Sequence, residues 1–418
     1  MNYPDSVQFL YTLGNEIKTA KFGLERIRTV LDALGRPQDR LHFIHVAGTN
    51  GKGSVCAMLE SALRTAGRRT GLFTSPHLAE PTERIRIDGV AISAERFADA
   101  FQRVHVVVER LIAEGAIDLH TTYFETVTAM ALLVFAEEPV DMVVLEVGLG
   151  GRLDATNIVM PDLAVITPVD FDHEAFLGKS LESIAGEKAG ILKPAVPAVF
   201  ARQRPEAAAV LESRGVAAQW TKDWPVHDLH LDARGSRFHL GNLRIHCPLA
   251  GEHQVENAVT AAVALLQLAV ADLAIEAGIA GTRWPGRLEH VSERPEIVLD
   301  GAHNPAGARA LAAHIQRFYA GRRVRLIYGA MRDKAIEEIS AILFPLAQQV
   351  IVTAPKQARA LAPETMHRIS DHPNLIATAG IAEALELVRD AAADDVIFVT
   401  GSLFLVAEAR AAMIGSMQ

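Results

Sequence analysis

The chain has 418 residues, which is more than one typical domain needs, so two domains are expected. Its formal net charge of −9, with acidic and basic residues interspersed, argues against a dedicated nucleic-acid surface. The chain has two isolated cysteines, which suit a reducing compartment, and residues 1–5 lack a signal-peptide pattern. Its longest apolar run, residues 258–271, is too short for a bilayer. These features favour a cytoplasmic protein over a secreted or membrane protein.

Residues 1–40 are predicted to be helical and amphipathic. Leu24, Ile27, Val30 and Leu31 recur at a spacing that places them on one helix face. The sequence Leu-Gly-Arg-Pro at residues 34–37 has a glycine stop followed by proline, which predicts the end of that helix.

The next stretch, His-Val-Ala-Gly-Thr-Asn-Gly-Lys-Gly-Ser at residues 45–54, is typical of a phosphate-binding loop. An apolar strand is predicted before it (41–46) and a helix after it (55–63), which is the context such a loop needs. Gly53 stands where the common loop has a hydroxyl, so a magnesium hydroxyl ligand must come from Ser54 or from elsewhere. The alternative is a glycine turn with a solvated lysine.

A second apolar strand is predicted at residues 69–74, followed by an irregular surface loop to residue 88. Ser75 directly follows this strand, so its hydroxyl is a candidate for the missing magnesium ligand. A simple Ser-Pro turn is the alternative interpretation.

Two helices are predicted next, at residues 95–115 and 126–138. Thr122 and Glu125 precede the second one and resemble a capping box. Tyr123 and Phe124 lie between them, either as core residues or as stacking surfaces for a flat ligand.

A buried strand is predicted at residues 140–147, with Glu146 near its end. A carboxylate after five mostly apolar residues is costly unless it is paired or bound to a metal. At the carboxyl end of a strand beside a phosphate loop it is placed like a magnesium ligand, with a structural salt bridge as the alternative. A second glycine-rich turn, residues 148–157, follows at the same predicted sheet edge.

Further polar residues follow the next predicted strand, residues 163–167. His173, with carboxylates nearby, is a candidate magnesium ligand or phosphate contact, and Lys188 a phosphate-neutralising or salt-bridging lysine. Residues 195–247 change to short strands and turns, with a hairpin predicted over 237–245. Asn257 is early in the buried helix that comes next, where its amide faces a ligand or makes a local cap.

The last part of the chain is predicted to be a second, smaller domain. Residues 284–295 are rich in proline, glycine and charged residues, and strand–helix alternation resumes after them. Its first strand, 296–299, ends in the polar cluster Asp-Gly-Ala-His-Asn-Pro, which contains Asp300 and His303. If the two domains face each other, this cluster closes over the phosphate loop.

The predicted fold is therefore α/β. Residues 1–285 are expected to form an ATPase-type domain with a phosphate loop, a parallel sheet and a small β-rich portion. Residues 286–295 are expected to be a linker, and residues 296–418 a smaller Rossmann-like α/β domain.

These motifs together resemble the bacterial folylpolyglutamate synthase/dihydrofolate synthase proteins, folate-directed members of the Mur ligase superfamily. The resemblance covers nearly the whole chain, and only the combination of motifs is specific. The matching stretches are residues 22–37, 45–54, 74–78, 82–84, 122–125, 145–157, 172–173, 186–191, 253–257, 285–287 and 300–305.

The resemblance implies an ATP-dependent carbon–nitrogen ligase with a set of site residues. Implied ATP contacts are Thr49, Asn50, Gly51, Lys52, Gly53, Ser54, Asn257, Arg287 and Asp300, and implied Mg²⁺ ligands are Ser75, Glu146 and His173. Implied pterin or folate contacts are Arg84, Thr122, Tyr123, Phe124, Glu125, Leu153, Asp154 and Ala155, with Phe124 stacking on the pterin. Lys188 matches a carbamylated lysine.

The expected reaction joins L-glutamate to 7,8-dihydropteroate and to the γ-carboxylates of reduced folates through an acyl phosphate. Lys52 and Lys188 are the expected catalytic lysines, and His303 and Asp300 are candidates for the base that deprotonates the amine. A monomer with no nucleic-acid or membrane partner is expected. A monofunctional folylpolyglutamate synthase is the nearer alternative, and a phosphate-loop ATPase acting as a regulatory switch is the alternative from another class.

Overall fold

The structure is a computed structural model that describes residues 1–14 and 23–414. The described helices are, in chain order, α1 (Tyr3–Thr12), α2 (Glu25–Ala33), α3 (Lys52–Thr65), α4 (Ala94–Ala113), α5 (Tyr123–Glu137), α6 (Glu174–Leu177), α7 (Leu181–Lys188), α8 (Pro205–Glu212), α9 (Glu252–Gln267), α10 (Asp272–Ala280), α11 (Pro305–Phe318), α12 (Ile336–Leu343), α13 (Met366–Ile369), α14 (Ile381–Glu386) and α15 (Leu403–Ile414).

The described strands are, in chain order, β1 (Phe43–Ala47), β2 (Thr70–Phe73), β3 (Ile85–Ile87), β4 (Val90–Ala91), β5 (Met142–Glu146), β6 (Leu163–Ile166), β7 (Ala198–Phe200), β8 (Ala218–Trp220), β9 (Val226–Asp232), β10 (Gly235–Leu240), β11 (Leu243–Cys247), β12 (Glu289–Glu293), β13 (Glu296–Leu299), β14 (Val324–Tyr328), β15 (Gln349–Val352), β16 (Leu375–Ala377) and β17 (Val396–Thr400).

The chain divides into two compact units. The first comprises residues 1–225, 240–243 and 256–281, and the second comprises residues 226–239, 244–255 and those from 282 onward. Most of the β9–β11 segment therefore groups with the second unit, and β12 lies within residues 286–295, where the sequence predicted a linker.

The first unit contains a sheet with the strand order β4-β3-β2-β5-β1-β6-β7-β8. The six strands β2, β5, β1, β6, β7 and β8, which are consecutive in this order, run parallel to one another. Their near-continuous apolar sequences suit a sheet covered on both faces. From β1 the chain goes to β2 on one side, and from β5 it goes to β6 on the other. Ligands bind at the carboxyl ends of strands at such a switch point, so the ends of β1 and β5 are the expected place for a site.

Most predicted elements of the first unit are confirmed, and the missed elements are short strands at or next to an edge of the sheet. Helix α2 buries Ile27, Val30 and Leu31 as its periodicity predicts, and it ends at Ala33 before Gly35, whose φ is 82°. The start of that predicted stretch, with Phe22, lies outside the described residues. The prediction of an irregular loop to residue 88 is wrong for residues 85–87, since these form β3, which pairs antiparallel with β2 on one side and with the edge strand β4 on the other. A three-residue strand is too short to show periodicity in the sequence.

The second unit contains a sheet with the strand order β12-β13-β17-β14-β15-β16. The five strands β13, β17, β14, β15 and β16 run parallel to one another, and β12 pairs antiparallel with β13. This confirms the predicted strand–helix alternation. The separate sheet β11-β10-β9 contains the predicted hairpin, with Gly241 in its turn at φ 59°.

Two observations complete the architecture. Both cysteines are buried, and neither forms a disulfide bond. None of the helices in residues 1–14 and 23–414 is long and apolar enough to cross a membrane.

Helices α3 and α10 pack so closely that only glycine fits at position 278. A Cβ on Gly278 would lie 2.2 Å from the Cα of Ala62, and the Ser61 hydroxyl donates to the Gly278 carbonyl at 2.7 Å. Since overpacking forces backbone shifts, we expect Gly278→Val to destabilise the protein by about 3 kcal/mol. Calorimetric melting would measure the change.

Gly186→Ala is the matched control for this change. Gly186 is also inside a helix, α7, but its nearest neighbour is the guanidinium of Arg214 at 3.9 Å. An alanine there should change stability by less than about 1 kcal/mol. Equal melting temperatures for the two variants would contradict the account of α3–α10 packing.

Candidate active site

The loop between β1 and α3 folds around the side chain of Lys52. Gly51 has a φ of 86° and precedes the first residue of α3. The Lys52 ammonium donates to the carbonyls of Gly48 and Thr49, both at 3.1 Å. The Thr49 hydroxyl accepts from the backbone N–H of Asp170 at 3.0 Å, which ties the loop to the segment after β6. The loop therefore sits at a helix N-terminus, where the backbone dipoles favour anions.

Asn257 of α9 lies against this loop. A Cβ on Gly51 would be 2.2 Å from the Asn257 side-chain oxygen, so both the φ and the contact require glycine there. Asn257 and Ser54 are buried, and Asn50 and Gly53 are half-buried. The sequence left two interpretations for the Asn257 amide, a ligand contact or a local cap. In the structure this amide lies beside the phosphate loop.

Glu146 ends β5, next to β1 and β2 in the sheet, and it is buried. Its carboxylate accepts the backbone N–H of Ser75 at 3.0 Å, which brings together two of the three predicted magnesium ligands. A buried carboxylate with a neighbouring serine offers the oxygen donors that Mg²⁺ prefers, so these residues fit that ion.

His173 follows β6, which is separated from β5 by β1 alone. It is half-buried and has a φ of 52°, in the left-handed region that histidine adopts more readily than most residues. Its ring Nε2 lies 3.8 Å from the Asp172 carboxylate. His173 is therefore held at the same edge of the sheet as Glu146.

Lys188, the last residue of α7, reaches the phosphate loop. Its ammonium donates to the Gly48 carbonyl at 2.8 Å, so Gly48 accepts from both lysines of the site. Burial, and then the nearby charge of Lys52, lower the pKa of Lys188 to about 7. A substantial fraction of this amine is therefore neutral at physiological pH.

The glycine-rich turn after β5 packs against an aromatic residue of α5. A Cβ on Gly148 would lie 2.5 Å from the ring of Phe124, so the backbone there runs directly along that ring. The Phe124 ring also contacts Phe73 at 5.8 Å between centroids. Phe124 is thus both a core residue and a flat surface beside the turn.

Tyr123 belongs to a cluster of rings and one cation. The Arg84 guanidinium lies 5.0 Å from the centroid of its ring, and the Tyr11 ring stacks on it at 5.8 Å. The Arg84 Nε–H donates to the Nδ1 atom of His77 at 3.0 Å. Burial and the Arg84 charge lower the pKa of His77 to about 3, so this histidine stays a neutral acceptor.

Thr122 and Glu125 form the capping box that their spacing indicated. The Thr122 hydroxyl accepts from the N–H of Glu125 at 3.2 Å, and the Glu125 carboxylate accepts from the N–H of Thr122 at 2.8 Å. Arg26 of α2 also pairs with Glu125 at 2.9 Å. These residues therefore fix the start of α5, from which Tyr123 and Phe124 project.

Asp154, which lies between Leu153 and Ala155, stabilises the glycine-rich turn after β5 through hydrogen bonds to its backbone. One carboxylate oxygen accepts from the N–H of Leu149 at 2.8 Å, and the other from the N–H of Thr156 at 3.0 Å. Burial raises the pKa of Asp154, and these hydrogen bonds oppose that effect. Asp154 is therefore in contact with protein groups that shape the turn.

The second unit has its own polar cluster after β13. The two oxygens of buried Asp300 accept from the N–H groups of Leu288 and Ala302, each at 3.0 Å. The Nδ1 atom of His303 lies 2.8 Å from the Gly301 carbonyl, which only accepts, so Nδ1 carries the proton. A Cβ on Gly301 would lie 2.7 Å from the Arg287 guanidinium, which places Arg287 at this cluster.

Tyr11 and His77 in the aromatic cluster, and Gly48 as the acceptor shared by Lys52 and Lys188, were not predicted from the sequence. Tyr11 and His77 come together from positions 66 residues apart, with 3.4 Å between the phenol oxygen and the ring Nε2. Only Gly48 carried a signal, as a glycine inside the phosphate loop.

Two family matches cover most of the chain. Residues 46–265 match the Mur ligase middle domain, and residues 286–403 match the Mur ligase glutamate ligase domain. The chain belongs to the Mur ligase family. Within this family it belongs with the dihydrofolate synthase/folylpolyglutamate synthases. The protein of that name from Mycobacterium tuberculosis is 37% identical, with 93% of this chain and 89% of the relative covered.

Other proteins with similar sequences or structures agree. The Escherichia coli dihydrofolate synthase/folylpolyglutamate synthase is 37% identical, with 93% of this chain and 91% of the relative covered. A Mycobacterium tuberculosis folylpolyglutamate synthase solved with ADP and AMPPCP has a TM-score of 0.92 and 33% identity, with 100% of both chains covered. An Escherichia coli FolC structure with DHPP and ADP has a TM-score of 0.87 and 33% identity, with 98% and 96% covered.

The predicted family, the α/β fold class and the prediction of an ATP-dependent glutamate ligase are thereby confirmed. The assignment of individual site residues and the domain boundaries stay predictions.

Proposed function

We propose that this Mur ligase joins L-glutamate to the carboxylate of 7,8-dihydropteroate and to the γ-carboxylate of reduced folates, using ATP. The convergence of Lys52, Lys188, Ser75 and Glu146 at the carboxyl ends of neighbouring strands supports the proposal most strongly. The similarity to dihydrofolate synthase/folylpolyglutamate synthases over 93% of the chain favours both reactions over a monofunctional enzyme.

The chemistry requires activation of a carboxylate, which is a poor electrophile at neutral pH. Transfer of the ATP γ-phosphoryl group to the carboxylate gives an acyl phosphate with a good leaving group. The amine of L-glutamate then attacks the carbonyl carbon, and the tetrahedral intermediate collapses to the amide and inorganic phosphate. Exclusion of water protects the acyl phosphate from hydrolysis.

The first unit supplies the groups for phosphoryl transfer. We assign residues 49–54 and Asn257 to ATP, with Lys52 offsetting charge on the outer phosphates. Ser75, Glu146 and His173 are assigned to Mg²⁺, which when bound would offset charge on the transferring group. Lys188 is assigned to the same site because its unmodified amine reaches the Gly48 carbonyl, and we propose that this amine is carbamylated in the active enzyme.

The acceptor is assigned to the surface formed by α5 and the turn after β5. Phe124 along Gly148 offers a flat apolar face, and the Arg84–Tyr123 pair offers a cation beside an aromatic ring. A pterin is flat and polar at its edges, so stacking and edge hydrogen bonds suit it. The remaining assigned contacts are Thr122, Glu125, Leu153, Asp154 and Ala155.

The second unit supplies the candidate base. The carboxylate oxygens of Asp300 each already accept a backbone N–H, whereas the imidazole of His303 is oriented by the contact between its Nδ1 atom and the Gly301 carbonyl. We therefore assign proton removal from the glutamate amine to His303, positioning to Asp300, and a phosphate contact to Arg287.

Domains, assembly and location follow the same proposal. We take residues 1–285 as the ATP-binding domain, 286–295 as the linker and 296–418 as the glutamate ligase domain. A cytoplasmic monomer with small-molecule partners is proposed.

ADP release tests the proposal directly. Purified protein would be supplied with ATP, Mg²⁺ and L-glutamate, and with 7,8-dihydropteroate or a reduced folate as the acceptor. Release with both acceptors is expected. Release with the folate alone would leave a monofunctional folylpolyglutamate synthase. Equal release without acceptor or glutamate would favour the regulatory ATPase.

The contact between Gly148 and Phe124 gives a substrate-specific prediction. A valine at position 148 has no room beside the ring, so Gly148→Val must displace Phe124. We expect KM for dihydropteroate to rise by about tenfold, which corresponds to about 1.4 kcal/mol, while KM for ATP changes little. Steady-state kinetics measures both. Equal increases in the two KM values would count against pterin stacking on Phe124.

A further inference from the structure

Three donor atoms converge beside α4, among residues to which the ligase reaction assigns no role. The Nδ1 atom of His105 lies 3.5 Å from the Nε2 atom of His120, and a Glu109 carboxylate oxygen lies 3.9 and 3.8 Å from these two nitrogens. Within the described residues this is a group of side chains whose donor atoms are close enough to share one ion.

The triangle has the size of a zinc site. A point equidistant from atoms with these separations lies about 2.2 Å from each, close to the 2.0–2.2 Å of Zn–N and Zn–O bonds. Two imidazoles and one carboxylate suit Zn²⁺ and similar transition metals, whereas Ca²⁺ and Mg²⁺ prefer oxygen donors alone.

The two histidines are oriented as metal ligands are. The Nδ1 atom of His120 lies 3.0 Å from the Thr121 carbonyl, so it carries the proton and leaves a lone pair on Nε2, which faces the other donors. The His105 ring stacks on Phe101, with 5.5 Å between centroids, and Phe9 packs on its edge at 4.7 Å.

The donors come from two segments that a metal would join. His105 and Glu109 are four residues apart and so share one face of α4, whereas His120 lies in the segment that leads into α5. Both histidine side chains are largely buried, while Glu109 is 55% exposed, so an ion can enter from the solvent side.

We propose that His105, Glu109 and His120 bind one divalent transition-metal ion of the Zn²⁺ class, with solvent completing its coordination. The ion links α4 to the segment preceding Thr122 and Tyr123. It therefore steadies the start of α5 without taking part in the ligase reaction.

Titration of the metal-free, full-length protein with Zn²⁺ and Co²⁺ tests this proposal. Calorimetry should show one strong Zn²⁺ site per chain, and Co²⁺ should give a visible absorption band that Zn²⁺ abolishes. Glu109→Gln and His120→Asn should each weaken Zn²⁺ binding at this site by tenfold or more. Zn²⁺ should raise the melting temperature of the wild type more than that of either variant.

The matched control is His239→Asn. His239 is exposed and pairs with Asp228 at 3.1 Å in the β9–β10 hairpin. The substitution therefore removes an imidazole–carboxylate pair outside the proposed site. It should retain wild-type Zn²⁺ affinity. Unchanged stoichiometry and affinity in both Glu109→Gln and His120→Asn would overturn the proposal and leave a histidine–histidine hydrogen bond. Glu109 is largely exposed, so its variant should fold normally.

Discussion

Replacing Glu146 with glutamine is expected to lower glutamate-dependent ADP release by at least about a hundredfold, with little loss of folding. The glutamine amide keeps the size of the side chain and can still accept the Ser75 N–H that lies 3.0 Å from the carboxylate. It lacks the negative charge that a divalent ion requires at this strand end. Initial rates at saturating ATP, together with a melting curve, measure the two effects separately.

Glu60→Gln is the control for the loss of a buried carboxylate. Glu60 is buried in α3, where it accepts from the Thr70 hydroxyl at 2.7 Å and from Arg64 at 3.2 Å. Its replacement should lower the melting temperature but keep the turnover of the folded enzyme. Near-normal turnover in Glu146→Gln would remove the metal assignment of Glu146.

Lys188→Met is expected to lower ligase activity by about a hundredfold or more and to abolish carbamate formation. Because the pKa of Lys188 is lowered to about 7, its neutral amine can attack CO₂, giving a carbamate and releasing a proton. An ordinary lysine has only about one neutral amine in a thousand at pH 7.5. NMR with ¹³C-bicarbonate should therefore show one carbamate signal, which weakens as the pH falls through 7 and the amine is protonated.

Lys222→Met is the control for this experiment. Lys222 is half exposed, with its ammonium 4.6 Å from the centroid of the Trp220 ring. The variant should retain both the carbamate signal and the activity. A wild-type protein without the signal, or a Lys188→Met variant that keeps it, would contradict carbamylation of Lys188.

The sequence predicted those parts of the site that depend on local pattern. The phosphate loop was recognisable because strand, glycines, lysine and helix are contiguous, and Glu146 was recognisable as a charge that ends an apolar strand. Likewise Thr122 and Glu125 form the capping box that their spacing indicated. In each case the residues that determine the structure are within a few positions of one another.

Contacts between positions that are distant in the chain could not be predicted from the sequence. The cluster of Tyr11, His77, Arg84 and Tyr123 forms only when α1, the loop after β2 and α5 have packed together. The short strand β3 was missed because its three residues are stabilised by pairing with β2 and β4 rather than by their own pattern. The grouping of residues 226–239 with the second compact unit likewise depends on tertiary contacts that chain order does not reveal.

Oxygen transfer from the acceptor to phosphate tests the ligase mechanism most directly. The enzyme would be given ATP, Mg²⁺, L-glutamate and 7,8-dihydropteroate whose carboxylate carries ¹⁸O at both oxygens. An acyl phosphate must leave one labelled oxygen in inorganic phosphate and the other in the new amide of dihydrofolate. Mass spectrometry of both products is expected to show this one-to-one division. Unlabelled phosphate released together with ADP would contradict the mechanism, since the γ-phosphoryl group would then have gone to water.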